Sequence, residues 1–318
     1  MTLEHLTDFD NPPDLITATM KTVLTAGDCG INAWLRYVAQ GTLAGLTNGH
    51  RPQTAVSAVM REEGPLREAM MQEFAFRSAS ERYATRGLCT LAAIAPTVEE
   101  MEYFVTQVVD EARHAACFRE HLIEMGVPPA ELVATEERLI KKDHDRILAP
   151  LSAWSRAAVE DRKDYLAGVA LITILLEGVL APSAALSEIK WRPFDAVAAE
   201  IERCANTDEV RHLTICASIV REHLLRYPQD KFRLMDFVAE GFKRWQAVPV
   251  NEMMFERESL YQAGLDANRP MVGDLQIVPG LRLADSTPEQ RLGIAMQWSR
   301  DMQANRLTYM GLAELVQH

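Results

Sequence analysis

One five-residue pattern occurs twice in the sequence, and its side chains are suited to metal binding. It reads Asp-Glu-x-Arg-His, first at residues 110–114 and again at residues 208–212. On an α-helix, residues three apart lie on the same face, so each copy presents a carboxylate and an imidazole to one point in space. Carboxylate oxygens and imidazole nitrogens are common ligands of transition metals. The candidate ligands from the two copies are Glu111, His114, Glu209 and His212.

A further glutamate, Glu177, lies inside the most apolar stretch of the chain, residues 165–186. A carboxylate in such a helix needs a partner or a metal. Glu177 precedes Pro193 by 16 residues and Glu209 follows it by 16. In an antiparallel helix pair that turns near Pro193, these two carboxylates lie at the same height. The sequence therefore predicts Glu177 as a ligand, on a helix that is buried in a protein core rather than in a membrane.

The same argument selects between two glutamates on an earlier helix. Glu81 precedes Pro96 by 15 residues, and Glu111 follows it by 15. Glu73 also lies in an apolar helical segment, but it is 23 residues from Pro96. We therefore expect Glu81 to be the ligand, and Glu73 is the alternative.

Helical periodicity covers almost the whole sequence, and alternating β-branched runs are scarce. Two helices with Glu-x-x-His and two with one Glu each are typical of a di-iron carboxylate site in a four-helix bundle. We expect a single all-α domain over residues 1–318, with a metal-bearing core at about 54–227 and the C-terminal helices of 229–318 packed on it. Residues 264–285 are rich in Gly and Pro and are predicted to form a surface loop or lid. The predicted helices cover residues 14–40, 54–94, 97–125, 129–148, 154–189, 194–227, 229–263 and 288–316.

The composition excludes several classes of protein. The 318 residues include 33 basic and 45 acidic residues, a net charge of −12, which argues against nucleic acid or an anionic membrane as a partner. The five cysteines are scattered and form no CxxC pair, which predicts a reducing compartment; with no secretory signal at the N-terminus, we expect a cytoplasmic protein. No flavin, nicotinamide or iron–sulfur fingerprint is present. A redox reaction would therefore need an external electron donor.

The paired motifs and the two lone glutamates resemble the ferritin-like non-haem di-iron oxygenases and oxidases, over about residues 72–222. The superfamily includes hydroxylase subunits of bacterial multicomponent monooxygenases, the small subunit of ribonucleotide reductase, and natural-product amine N-oxygenases. The resemblance implies a ferritin-like four-helix bundle with flanking helices, and two iron ions that activate O2 to oxidise a small organic molecule. Manganese in one metal position is left open. The implied ligands are Glu81, Glu111, His114, Glu177, Glu209 and His212.

The chain length and the region after Tyr227 look most like the small stand-alone N-oxygenases. The first expectation is therefore N-oxygenation of an amine or an amino-acid-derived biosynthetic intermediate, free or tethered to a carrier protein. Phe118 stands where ribonucleotide reductase has its radical tyrosine, which disfavours that role. Ala181 stands where the monooxygenases have a threonine, and the following Pro182 predicts a local helix distortion. C–H hydroxylation or desaturation, and a non-catalytic helical partner subunit, are the alternatives; a homodimer is compatible with the sequence.

The Asp and Arg of each motif are expected to support the ligands. Each Asp is four residues before the His of its own motif, and we predict that it accepts a hydrogen bond from that ring. Each Arg points about 100° around the helix, toward a neighbour. We therefore predict crossed ion pairs, which the resemblance to the monooxygenase hydroxylases also implies: Asp110 with Arg211, and Asp208 with Arg113. His121, near a helix end, is predicted to be an exposed or capping residue rather than a third nitrogen ligand.

Overall fold

The computed structural model describes residues 2–43 and 45–316, and the fold is all-α, as predicted. The α-helices are α1 (Leu3–Leu6), α2 (Leu15–Lys21), α3 (Ile31–Leu43), α4 (Ala58–Arg61), α5 (Pro65–Ile94), α6 (Val98–Glu124), α7 (Leu132–Asp143), α8 (Ala149–Arg156), α9 (Tyr165–Ala170), α10 (Glu177–Trp191), α11 (Ala196–Arg226), α12 (Lys231–Ala247), α13 (Val250–Ala267) and α14 (Pro288–Met310). Segments of π-helix are His144–Leu148, Ala157–Asp161 and Leu171–Leu176. Short 3₁₀ turns are Ala26–Cys29, Pro129–Glu131, Pro228–Asp230, Arg269–Met271, Leu283–Asp285 and Ala313–Leu315. A small antiparallel hairpin pairs β1 (Gln276–Val278) with β2 (Leu281–Arg282).

Helices α5, α6, α10 and α11 form the centre of a helical bundle. Short turns join α5 to α6 and α10 to α11, so each pair is antiparallel and closely packed. Thr97 caps α6 by accepting a hydrogen bond from the Glu100 N–H, and Asp195 caps α11 in the same way. The Tyr103 hydroxyl donates to the His212 carbonyl oxygen, which ties α6 to α11.

The C-terminal helices pack on this centre rather than forming a separate layer. Helix α13 contacts α5, and α14 contacts both α10 and α11. The apolar segment Tyr165–Trp191 is long and apolar enough to cross a membrane, but 72% of its most apolar window is buried inside the protein. This burial agrees with the predicted core helix.

Several of the predicted helices are interrupted in the structure, and the one at 54–94 divides into α4 and α5. The predicted helix at 14–40 divides into α2 and α3, because Thr25 and Asp28 form a reciprocal capping box that starts a new turn between them. The predicted helix at 154–189 is interrupted before α9. There Lys163 has a φ of 51°, in the left-handed region, which ends the preceding helical segment.

The predicted helix at 229–263 is two helices, α12 and α13, which meet at Pro249. Proline disfavours helical backbone in the residue before it, and Val248 is extended. The predicted loop at 264–285 begins with the last residues of α13 and contains the hairpin, in which Gly280 makes the turn with a φ of 86°.

Candidate metal centre

The structure brings the six predicted ligand residues together at the centre of the bundle. Their ligand atoms form two groups, and within each group the atoms lie within 4.8 Å of one another. Because Glu111 belongs to both groups, its carboxylate lies between them. One group is Glu81, Glu111 and His114, and the other is Glu111, Glu177, Glu209 and His212.

Several of these ligand atoms are buried without a hydrogen bond. Unpaired buried polar atoms are uncommon in folded proteins, and each one needs an explanation. His212 Nδ1, for example, lies 2.9 Å from Glu111 Oε1, but not in hydrogen-bond geometry. Carboxylate oxygens with one imidazole nitrogen in each group fit a pair of transition-metal ions. Within the described part of the chain, the unpaired ligand atoms are Glu111 Oε1, His114 Nδ1, Glu177 Oε2, Glu209 Oε2 and His212 Nδ1.

The electrostatics of the cluster favour added positive charge. Burial and the nearby carboxylates of Glu209 and Glu111 raise the pKa of Glu177 well above its usual value. Burial and Glu111 raise the pKa of Glu209 to about 7. Burial disfavours the charged form of His212, but Asp110 and Glu111 outweigh it and raise its pKa to about 9. Without metal, protons therefore offset the repulsion among the carboxylates, and metal binding would displace them.

Each histidine ring is oriented by an aspartate on the opposite helix. His114 Nε2 lies 3.1 Å from Asp208 Oδ2, and His212 Nε2 lies 3.4 Å from Asp110 Oδ2. The prediction that each Asp serves the His of its own motif is therefore wrong. The Nδ1 atom of His114 faces Glu111 on its own helix, at 3.5 Å, so its Nε2 atom points across to α11.

The ion pairs between the two motifs are crossed, as predicted. Arg113 lies 2.5 Å from Asp208, and Arg211 contacts Asp110. Arg211 also lies 3.0 Å from Asp208 on its own helix. Burial disfavours the charged form of Asp208, but the two guanidinium groups outweigh it and hold its pKa well below the usual value. Trp34, which the sequence analysis did not identify, donates to Asp110 at 3.1 Å.

Glu73, the alternative ligand, belongs to a different cluster. Its carboxylate lies 3.1 Å from Lys190 Nζ and 3.3 Å from Arg77 Nη2, and it accepts a hydrogen bond from Ser187. Burial works against ionisation of Glu73, but these two cations outweigh it and lower its pKa to about 2. Of the two glutamates on α5, Glu81 is therefore the one that reaches the centre.

Gln107, also missed by the sequence analysis, supports Glu177. Its amide donates to Glu177 Oε1 at 2.8 Å, and its side chain is fully buried. Gln107 lies one turn before Glu111 on α6, so a polar residue on the ligand-bearing face was the signal that could have identified it.

A π-helical segment, Leu171–Leu176, comes immediately before Glu177. The wider turn leaves backbone carbonyl groups without their usual partners, and side chains from the C-terminal helices replace them. Gln303 donates to the Ile174 oxygen at 2.9 Å, and Trp245 donates to the Leu175 oxygen. The C-terminal helices therefore help to fix the height at which Glu177 enters the site.

A helix distortion was predicted at Ala181 and Pro182, but the main distortion is the π-helical segment, which lies earlier in the chain. Pro182 sits inside α10 and has no N–H for the Gly178 oxygen. The Ser299 hydroxyl donates to that oxygen instead, at 3.0 Å. An external donor thus allows the proline to remain within a regular helix.

A cavity of about 470 Å³ lies against the carboxylate cluster. This volume suits a small organic molecule. Glu81, Glu111, Glu177 and Glu209 form part of its wall. No residue of the predicted lid, 264–285, lines it, so the lid interpretation is not supported. The apolar part of the wall includes Phe118, Leu171, Ile172, Leu180 and Ala181.

His121 is fully buried, which contradicts the predicted exposed or capping position. Its Nε2 atom lies 2.9 Å from Asp195 Oδ2, at the start of α11. His121 belongs to neither ligand group. It is a core histidine that joins α6 to the cap of α11, because a buried aspartate satisfies its ring.

Fold and site together define an all-α helical bundle with a buried Glu/His cluster that could hold metal. No protein-family model matches the chain, and no curated protein matches it.

Proposed function

We propose that the protein is a ferritin-like non-haem di-iron oxygenase that oxidises a small organic substrate. One observation carries the proposal: two ligand groups share Glu111, and each contains one histidine whose Nδ1 atom is buried and makes no hydrogen bond with a described residue. Helical-bundle di-iron proteins use this set of four glutamates and two histidines. When bound, two iron ions, or a manganese–iron pair, would supply the redox chemistry that activates O2.

The residues of the chain have distinct roles in this proposal. Glu111 would help to hold both metals, since it belongs to both groups. Asp208 and Asp110 hold the Nε2 atoms of His114 and His212, which leaves both Nδ1 atoms directed at the centre. Gln107 fixes one oxygen of Glu177 and leaves the other unpaired.

The cavity is where a substrate would meet the site. Its polar wall, which carries buried acidic side chains beyond the ligands, supports N-oxygenation of an amine or an amino-acid derivative. Its apolar wall, with Leu171, Ile172 and Leu180, supports C–H hydroxylation or desaturation as the second candidate. Electrons would come from an external donor in either case.

The experiment is a metal analysis with matched variants. Purified protein reconstituted with ferrous iron without oxygen should hold about two irons per chain. Glu111→Ala and Glu209→Ala should lose most of that iron, whereas Glu99→Ala, an exposed position in the first turn of α6, should retain it. The iron-loaded wild type should then consume O2 when reduced. Full iron occupancy in both ligand variants would refute the proposal.

A further inference from the structure

We propose that the cavity holds its substrate by a primary ammonium group, which Glu202 and Asn206 bind. The inference rests on the proposed function only in calling the ligand a substrate. The binding site itself is defined by side chains that do not belong to the metal centre.

Glu202 and Asn206 both line the cavity, and both have acceptor atoms without a donor. Glu202 is 0% exposed, and neither of its carboxylate oxygens accepts a hydrogen bond from a residue that the structure describes. Asn206 is 3% exposed; its amide nitrogen donates to Glu188 at 3.3 Å, and its Oδ1 atom is unpaired. The two residues lie four apart on α11 and therefore on one face. When Glu202 is ionised, these three acceptor atoms match the three donors of an ammonium group.

The carboxylate of Glu202 has fewer cations in close contact than that of Glu258. Glu258 lies 2.6 Å from Lys190 and 2.5 Å from Arg291, in close ion pairs. Glu202 faces Arg77, whose Nε atom is 2.8 Å from Oε1 but makes no hydrogen bond with it.

Arg77 is shared between two carboxylates, because it also contacts Glu73 at 3.3 Å. Burial, followed by the carboxylate of Glu73, raises the pKa of Glu202 to about 8 although Arg77 and Lys190 oppose this. A cation from the ligand would supply the missing donors and offset the repulsion between Glu202 and Glu73.

The position of these residues sets how the ligand lies in the cavity. Asn206 and Glu202 precede Glu209 on α11 by three and seven residues, or about 4.5 and 10.5 Å along the helix axis. The bound ammonium nitrogen therefore lies one to two turns from the metal ligands. The oxidised atom is a different one, several bonds along the molecule, so N-oxygenation would fall on a second nitrogen. The substrate class is therefore a primary amine with a second oxidisable group.

The test measures binding to metal-free protein by calorimetry, with three probes of equal chain length: n-hexylamine, 1-hexanol and hexanoate. Hexylamine should bind at least about tenfold more tightly than hexanol, as expected for charge-assisted hydrogen bonds. Glu202→Gln should weaken hexylamine binding by about tenfold or more and leave hexanol binding unchanged. Glu222→Gln, an exposed position on the same helix, is the matched control and should behave as the wild type.

Asn206→Leu is a second variant, and it keeps the test decisive if Glu202→Gln does not fold. It removes one acceptor and should also weaken hexylamine binding selectively. Equal affinity for hexylamine and hexanol, tighter binding of hexanoate, or unchanged hexylamine binding in both variants would overturn the ammonium site. Because the protein is metal-free, these results are independent of the iron analysis, and either proposal can fail alone.

Discussion

At the scale of single residues, two glutamates on α5 that differ little in sequence context have different surroundings. Glu81 faces Glu111 and His114, whereas Glu73 contacts Lys190 and Arg77. A carboxylate beside other carboxylates is suited to binding a metal ion. A carboxylate beside cations balances their charge in the folded protein.

Replacing each of these glutamates should therefore have opposite effects. Glu81→Ala should lose iron and change the stability of the metal-free protein little. Glu73→Ala should retain iron but lose about 3 kcal/mol of unfolding free energy, because Lys190 and Arg77 are left partly uncompensated in the core. Iron content and urea unfolding of the two variants measure both quantities. If Glu73→Ala lost iron and Glu81→Ala retained it, Glu73 would be the metal ligand and Glu81 would not.

Asp208 binds no metal in the proposed site, yet its loss should be costly. Its carboxylate contacts Arg113, Arg211 and the His114 ring. Asp208→Ala should reduce the unfolding free energy by roughly 3–5 kcal/mol, because it leaves buried positive charge unpaired. The same change should weaken iron binding, since His114 loses its orientation. Asp230→Ala, at a part-buried pair with His223, is a control that should cost much less. Unchanged iron affinity in Asp208→Ala would contradict the orienting role.

Glu202 should make the metal-free protein less stable as the pH rises. Its pKa is about 8 in the folded chain, against an ordinary value near 4.5, so the folded state holds a proton that the unfolded state has released. The stabilisation from this proton is complete below about pH 4.5 and is lost as the pH rises toward 8. Relative to Glu202→Gln, the unfolding free energy of the wild type should fall by up to about 1.4 kcal/mol per pH unit. Parallel pH profiles of the two proteins would show that Glu202 is ionised throughout.

At the scale of elements, the sequence predicted the long helices well where polar capping residues mark their ends. Thr97, three residues before Glu100, marks the start of α6, and the structure has this cap. The π-helical segment at 171–176 was not predicted, because the residues around it are almost all apolar, with Thr173 and Glu177 as the exceptions. Without contrast between faces, hydrophobic periodicity cannot distinguish a π-turn from an α-turn.

The side chains that satisfy this segment should matter for the metal site although they are distant in sequence. Gln303→Ala removes the donor to the Ile174 carbonyl oxygen. It should cost about 1–3 kcal/mol of unfolding free energy, because a part-buried carbonyl loses its partner. It should also weaken metal binding in the group that contains Glu177. Gln297→Ala, exposed on the same helix, is the control. Cobalt titration would detect the weaker binding. Equal cobalt affinities in the two variants would show that this contact from the C-terminal helices does not affect the metal site.

At the scale of the whole molecule, equal numbers of residues before and after a turn predicted which carboxylates meet. In an antiparallel helix pair, two residues equally far from the turn lie at the same height along the helix axes. The same reasoning could not identify Glu202 or Asn206 as part of the cavity wall. Their roles depend on how neighbouring helices are rotated about their axes, which decides whether a polar side chain faces the cavity or solvent. The aspartates were paired with the wrong histidines for the same reason.

Metal binding should stabilise the bundle as a unit. The ligands come from α5, α6, α10 and α11, so bound ions would connect all four helices and offset the repulsion among their carboxylates. A metal that binds only the folded state adds about 2.7 kcal/mol of stability at one hundred times its Kd. Thermal unfolding under anaerobic ferrous iron should therefore shift to higher temperature in one transition, and this shift should disappear in Glu111→Ala, which removes the residue shared by both groups. A separate early transition that iron does not affect would show that part of the chain unfolds independently of the four helices.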